Sequence, residues 1–381
     1  MANKKKLLFF IENLSGGGAE KVLLDLVSQL DHNKFDIMVY SFVGIGVYIP
    51  QIKDIARYRA ILPTPPSNST LRIILFKIKY KLLRLLPASW VYKSIIKEKF
   101  DTEIAFIEGY CTKIIAASNN RRSKKIAWVH ADLSQNHYTK NNFKSLESEI
   151  ETYNKFDKII CVSGTVKSSF IKRFGNLPSL MVKYNPIDPK NIINKSKRLD
   201  QLKFQKSTPN IKRFIAIGRL EPVKAFDRLI DIAQRLKKDG FQFKIYILGD
   251  GSQRTDLEDL IKVYNVSAEV ELLGFKANPY PYIKMADAML VSSRSEGYST
   301  VVAEALILGT PVITTDCSGM KELLGANKFG IITENSTYSL YAGIREYLND
   351  PATQSKLSRN YKKMGPDFNQ FKLVKSIEQV F

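Results

Sequence analysis

Residues 294–304 read Arg-Ser-Glu-Gly-Tyr-Ser-Thr-Val-Val-Ala-Glu and set two carboxylates, Glu296 and Glu304, around a glycine and two small hydroxyl residues. Such a pair can bind hydroxyl hydrogens, share acid and base work, or be an acidic turn beside an ordinary helix glutamate. The apolar run Ala288-Met289-Leu290-Val291 leads into it, so the pattern is a buried strand, a tight turn and a helix. Ser299 or Thr300 is placed to cap that helix, leaving its first amides to face an anion. Glu296 then lies in the turn and Glu304 about two helical turns further on. Both reach one cleft at the carboxyl edge of a sheet.

A second group of residues suits a phosphate. The apolar strand 214–218 ends in Gly218, and Arg219 and Lys224 stand on the loop that enters a helix from Phe226 to Lys238. Two cations on one strand-to-helix loop fit a diphosphate. Near the start of the chain, the buried strand 7–11 runs into Asn13-Leu14-Ser15-Gly16-Gly17-Gly18, which opens another helix. Consecutive glycines let backbone amides approach a phosphate or sugar closely. The Gly-x-Gly-x-x-Gly dinucleotide fingerprint is not satisfied. His130, one of three histidines, ends the strand that begins at Lys125, the usual place for a ligand-binding residue in a doubly wound sheet.

The elements that position these residues alternate strand and helix throughout. Strands are expected over 35–42, 102–107, 158–162, 243–248, 270–273, 311–315 and 330–332, several ending in glycine before a helix. That grammar predicts parallel sheets. A length of 381 residues fits two domains, and 44% hydrophobic with 25% charged residues excludes wholesale disorder. The expected organisation is a first domain over 1–188, a polar linker over 189–210, a second domain over 211–365, and a C-terminal helix over 366–381 packing back on the first domain.

The net charge is +21, and 14 of those charges fall in residues 1–185. Charge alone does not choose between nucleic acid, anionic lipid and a phosphorylated substrate. No nucleic-acid motif accompanies it. Residues 71–99 hold eight Lys or Arg against one acid, Glu98. Leu71, Ile74, Leu75, Ile78, Leu82, Leu85 and Leu86 share one helical face, and Ile73, Phe76, Tyr80 and Leu83 form a second apolar strip. One strip packs on the domain and the other is free for lipid or a lipid-linked substrate. Cys111, Cys161 and Cys317 are widely spaced and odd in number, as expected of free thiols in a reducing compartment. The Lys-rich start followed by 7–11 is too short for a signal peptide, and no apolar run approaches a membrane span. The expected location is the cytoplasm, peripheral on the inner face of the cell membrane.

Taken in order, Gly218-Arg219, Lys224, Gly249-Asp250-Gly251 and Glu296-x7-Glu304 resemble the retaining GT-B glycosyltransferases of family 4. The resemblance continues through Glu304-Ala305-Leu306, Gly309-Thr310-Pro311-Val312 and Gly319-Met320-Lys321-Glu322, and in the first half through Gly16–Gly18 and His130. That family usually carries Pro near Ser299, where this chain has Ser-Thr. The resemblance implies an α/β fold of two Rossmann-like, doubly wound parallel-sheet domains facing a central cleft. It also implies a nucleotide-sugar donor, no cofactor and no metal. By the same resemblance Arg219 and Lys224 meet the charge on the departing diphosphate, with amides near Ser299 and Thr300. Glu296 accepts from donor-sugar hydroxyls and Glu304 from the ribose, Gly274 and Phe275 neighbour the base, His130 lies beside the sugar, and Gly16–Gly18 approach the donor phosphate and the acceptor.

The activity so implied is hexose transfer from a UDP-sugar, with GDP-mannose as the alternative donor, to a lipid-linked or surface-polysaccharide acceptor such as an oligosaccharide. An anionic membrane surface is the expected partner, and nucleic acid is not. The competing reading is a non-catalytic GT-B subunit that binds a partner transferase or a glycan.

Overall fold

The computed structural model describes residues 4–64, 70–198, 211–364 and 370–381. The chain forms two compact units, one of Met1–Pro186 with Gln370–Phe381 and one of Ile187–Asn369.

Continuous apolar runs become buried parallel strands because helices cover both faces of such a sheet. In the first unit these are β1 (Lys5–Ile11), β2 (Phe35–Val43), β3 (Arg57–Leu62), β4 (Thr102–Ala105), β5 (Lys124–Val129), β6 (Lys158–Cys161) and β7 (Leu180–Val182). They pair in the order β3-β2-β1-β4-β5-β6-β7, parallel throughout. The second unit has β8 (Lys212–Ile217), β9 (Phe243–Leu248), β10 (Val270–Gly274), β11 (Ala288–Val291), β12 (Val312–Thr315) and β13 (Gly330–Thr333). Its order is β10-β9-β8-β11-β12-β13, again parallel. In both sheets the order reverses beside the first strand, between β1 and β4 and between β8 and β11. Loops leaving the carboxyl ends of those strands diverge there and open a crevice for ligands.

Four elements differ from the sequence expectation. The segment 189–210, expected as linker, begins as the helix Pro189–Lys195 of the second unit, with Ile192 buried. Asp188 starts it by accepting from the Asn191 amide at 3.0 Å, and Pro189 occupies the first helical turn. The remainder of that stretch, 199–210, lies outside the described residues. The basic segment 71–99 is two helices, Thr70–Leu85 and Ala88–Ile95, parted at Pro87, which lacks an amide to continue the first. The edge strands β3 and β7 carry no strand signal in the sequence because neither has a fully buried apolar run.

The C-terminal helix spans Gln370–Glu378, and residues 365–369 lie outside the described residues. Beyond it the Phe381 ring meets Phe9 and Phe35 edge-on, and its carbonyl takes hydrogen bonds from Lys5 Nζ at 2.7 Å and Thr102 Oγ1 at 3.1 Å.

Candidate functional site

In the second unit, the loops after β8 and β11 flank the reversal of strand order and carry the charged residues. Arg219 is exposed and has no partner among the described residues. Lys224 ends a short 3₁₀ turn, Pro222–Lys224, followed by Ala225 in the left-handed region at φ 53°. A non-glycine residue held there costs on the order of 1 kcal/mol. The turn sets the Lys224 stem over Gly218, where a Cβ would come within 3.4 Å of it.

Lys224 Nζ lies 2.6 Å from Glu296 Oε1, and Ser293 Oγ donates to the same oxygen at 2.6 Å. The two cations expected together therefore differ in state, one unpaired and one matched to the carboxylate. Arg294 pins the loop that presents Lys224. Its amide donates to the Val223 carbonyl at 2.8 Å, its Nη1 to the Pro222 carbonyl at 2.6 Å, and both Nη atoms reach Asp227 at 3.2 and 2.7 Å. Ser292 Oγ adds a bond to the Lys224 carbonyl at 2.8 Å.

The helix after Glu296 is Thr300–Leu308, with Ser299 at its N-cap position. The expected cap is absent: the Ser299 side chain makes no bond to the first-turn amides. A helix start without a side-chain cap keeps its partial positive charge available to an anion. Glu304 is buried on this helix and accepts from the Tyr280 hydroxyl at 3.2 Å. Gly274 ends β10 at a register shift, and Phe275 beyond it is exposed, an open aromatic face. The Gly249-Asp250-Gly251 turn has a packing role: at Gly249, φ 146°, a Cβ would fall 1.8 Å from the Gly218 carbonyl oxygen. Glycine there lets the turns after β8 and β9 touch.

In the first unit, the helix Gly18–Gln29 starts directly from the glycine loop, with Gly17 at its N-cap position. A Cβ at Gly17 would lie 2.2 Å from the Glu20 carboxylate, which is buried against the loop. His130 follows β5, and its Nε2 is buried without a hydrogen-bond partner. Burial holds the imidazole neutral, lowering its pKa to about 3 against a smaller opposing pull from a hydrogen bond to the Phe106 backbone. A backbone group that favours the protonated ring is an acceptor, so the bonded nitrogen carries the hydrogen and Nε2 is left with its lone pair. His130 thus accepts, from a hydroxyl for example.

The residue that sets His130 in place was not legible as a site residue. Glu108, buried after β4, accepts from the His130 and Ala131 amides at 2.6 and 2.7 Å and from the Tyr138 hydroxyl at 3.0 Å. Desolvation raises its pKa. The only hint in the sequence is an acid between Ile107 and Gly109 at a strand end. Arg294 was likewise visible only as the neighbour of Glu296.

Family comparison follows this division of the chain. The model described as Glycosyltransferase Family 4 matches residues 16–191, and that described as Glycosyl transferases group 1 matches residues 198–364. An uncharacterized glycosyltransferase of Methanocaldococcus jannaschii is 30% identical over 295 residues, covering 75% of this chain and 71% of its own. The chain belongs to the family 4 glycosyltransferases. A Campylobacter jejuni family member, N-acetylgalactosamine-N,N'-diacetylbacillosaminyl-diphospho-undecaprenol 4-alpha-N-acetylgalactosaminyltransferase, is 28% identical over 379 residues, or 97% of this chain and 98% of that one. The fold is GT-B: the crystal structure of Anabaena HepE with UDP and glucose superposes with a TM-score of 0.77 at 21% identity, covering 99% of each chain. Among the described residues of this glycosyltransferase, no group of three or more His, Cys, Asp or Glu is arranged to hold a metal ion. No helix among them is long and apolar enough to cross a membrane.

Proposed function

We propose that this glycosyltransferase moves a hexose from a UDP-sugar, with retention of anomeric configuration and without a metal, to a lipid-linked or surface-polysaccharide acceptor at the cytoplasmic face of the membrane. The observation that carries the proposal is the cationic loop at the strand-order reversal of the second sheet. Unpaired Arg219, Lys224 and the uncapped helix Thr300–Leu308 stand where negative charge grows on the departing diphosphate. Glu296 holds Lys224 until the donor arrives and then accepts from the sugar hydroxyls. Buried Glu304 takes the ribose hydroxyls and Phe275 stacks on the base. In the first unit the lone pair of His130 Nε2 accepts from a hydroxyl of the transferred sugar. With no separate base assigned, the leaving phosphate takes the acceptor's proton on the face it leaves.

Solved neighbours support the uridine donor, since Anabaena HepE is seen with UDP and with UDP-glucose. The diphospho-undecaprenol in the Campylobacter relative's name supports a lipid-linked acceptor. The helix Thr70–Leu85 supports the membrane. Its strip of Ile73, Phe76, Tyr80 and Leu83 is half-buried, while Leu71, Ile74, Leu75, Ile78, Leu82 and Leu85 are 48–73% exposed. Lys77, Lys79 and Lys81 flank that open ridge and are exposed. A ridge about 21 Å long with cations beside it fits an anionic lipid surface. At about 1 kcal/mol for each cation near the surface, neutralising the three lysines weakens vesicle binding roughly a hundredfold.

The deciding experiment incubates the purified protein with UDP- and GDP-hexoses, with and without a chelator, and reads the product anomer by NMR. Chelator-resistant turnover of a UDP-hexose with retention is expected. Turnover of GDP-mannose alone replaces the donor, inversion removes the mechanism, and UDP binding without any turnover favours the non-catalytic subunit.

A further inference from the structure

A cationic cluster at the carboxyl edge of the first sheet has no part in the donor chemistry. Arg84, near the end of the helix Thr70–Leu85, turns inward. Its guanidinium bonds Glu12 Oε1 at 2.9 Å, the Tyr80 hydroxyl and the Asn142 side-chain oxygen, and lies 4.8 Å from the centre of the Tyr110 ring. Lys113 Nζ donates to the backbone carbonyl of the same Asn142 at 2.8 Å. Lys144 lies close enough to repel Lys113, and neither lysine has a carboxylate at ion-pair distance among the described residues.

Arg84 and Lys113 are therefore held by one asparagine with Lys144 near the second, and the one carboxylate paired with any of the three among the described residues is Glu12 on Arg84. Lys113 registers the strain: burial first, then Arg84 and Lys144, lower its pKa from the ordinary lysine value. Cations held together in excess of their acids at a sheet's carboxyl edge mark an anion site rather than a stability device.

We propose that Arg84 and Lys113, bridged by Asn142, bind together with the neighbouring Lys144 the diphosphate of a lipid-linked acceptor, with the lipid lying along the exposed ridge of the helix Thr70–Leu85. The inference rests on the lipid-linked acceptor in the reading above and names the group by which that acceptor is held. A diphosphate diester carries one negative charge on each phosphate, matching three cations less Glu12. Leu85 and Leu86, both exposed, follow Arg84 directly, so the apolar track begins where the anion site ends. Arg84 is already paired and serves as the fixed base of the site, and Lys113 and Lys144 supply the free charge.

The test is equilibrium binding of the full chain to farnesyl diphosphate, farnesol and inorganic pyrophosphate in a nonionic detergent, with UDP binding measured in parallel. Farnesyl diphosphate is expected to bind roughly tenfold or more tighter than either farnesol or pyrophosphate. The double variant Lys113→Ala/Lys144→Ala is expected to lose that advantage while its farnesol binding and melting temperature hold, and Lys113→Arg is expected to keep it. Unchanged binding in the double variant overturns the site. Pyrophosphate binding as tightly as farnesyl diphosphate overturns the lipid source and leaves a free-anion site. Because binding is read without turnover, these failures leave the donor assignment untouched. Conversely, farnesyl diphosphate binding by an enzyme that glycosylates only soluble glycans would refute the acceptor reading and keep the site.

Discussion

In the second unit, the loops after β8 and β11 bring Arg219, Lys224 and Glu296 to the reversal of strand order. In the first unit, the loops after β1, β4 and β5 bring three glycines, the buried Glu108 and the neutral His130 to the equivalent edge. One topology is thus fitted out twice: cations and the carboxylate of Glu296 stand at the reversal in the second unit, a buried carboxylate and a neutral imidazole at the reversal in the first. The difference teaches that the doubly wound sheet supplies only a place for a ligand, and that a few loop residues set the charge and hydrogen-bonding character of that place.

The comparison is broken most sharply at Lys224. If the second edge stabilises charge on a leaving diphosphate, Lys224→Ala lowers kcat roughly 10²–10³-fold, as the loss of one preorganised charge-stabilising donor does. The pair with Glu296 is largely buried, with side chains 23% and 11% exposed, so a loss of about 1–3 kcal/mol of stability accompanies the change and is read separately, from the melting temperature. Steady-state turnover of the donor measures the kcat effect, and unchanged kcat would remove the anion role from this loop.

At the first edge the prediction concerns pH. The folded state holds His130 neutral down to about pH 3, whereas an unfolded histidine takes up its proton near 6.5. The unfolded chain therefore binds more protons between those values, and stability falls as pH drops through that window. Glu108 works the other way, since its raised pKa lets the folded state bind a proton earlier than the unfolded chain. His130→Gln is expected to flatten the acid limb of a melting-temperature profile between pH 6.5 and 4. Glu108→Ala, which strips the acceptor from two part-buried amides, destabilises by about 1–3 kcal/mol and misplaces His130. A His130→Gln profile as steep as that of the unaltered protein would show that the imidazole is not held neutral.

Much of this organisation was legible before the fold was seen, and the reason is periodicity. Strands such as 243–248 and the helix Phe226–Lys238 announce themselves by continuous or helical apolar patterns. The charged residues of the second unit's edge were legible because each follows such a strand within a few positions. Residues acting through the backbone were not. Glu108 holds His130 across 22 positions and Arg294 holds Pro222 across 72; only tertiary structure brings such partners together. The absent Ser299 cap has a related reason: residue type fixes which side chains can cap, whereas local backbone geometry fixes whether they do.

Arg294 gives the smallest effect and sharpens the contrast furthest. Each edge needs a device to fix its loop, and the two devices are opposites. A buried carboxylate accepts two amides in the first unit, and a largely exposed guanidinium donates to a carbonyl and to Asp227 in the second. An exposed pair of this kind contributes about 1 kcal/mol or less to stability. Its removal should therefore leave folding nearly intact while letting Lys224 wander. Arg294→Ala is expected to lower kcat about tenfold by loosening the reacting geometry, with KM for the donor changed less. Asp227→Ala should reproduce part of that loss, and the double variant should lose little more than Arg294→Ala alone, since both act on one clamp. Fully additive losses in kcat would mean that Arg294 and Asp227 touch the donor separately.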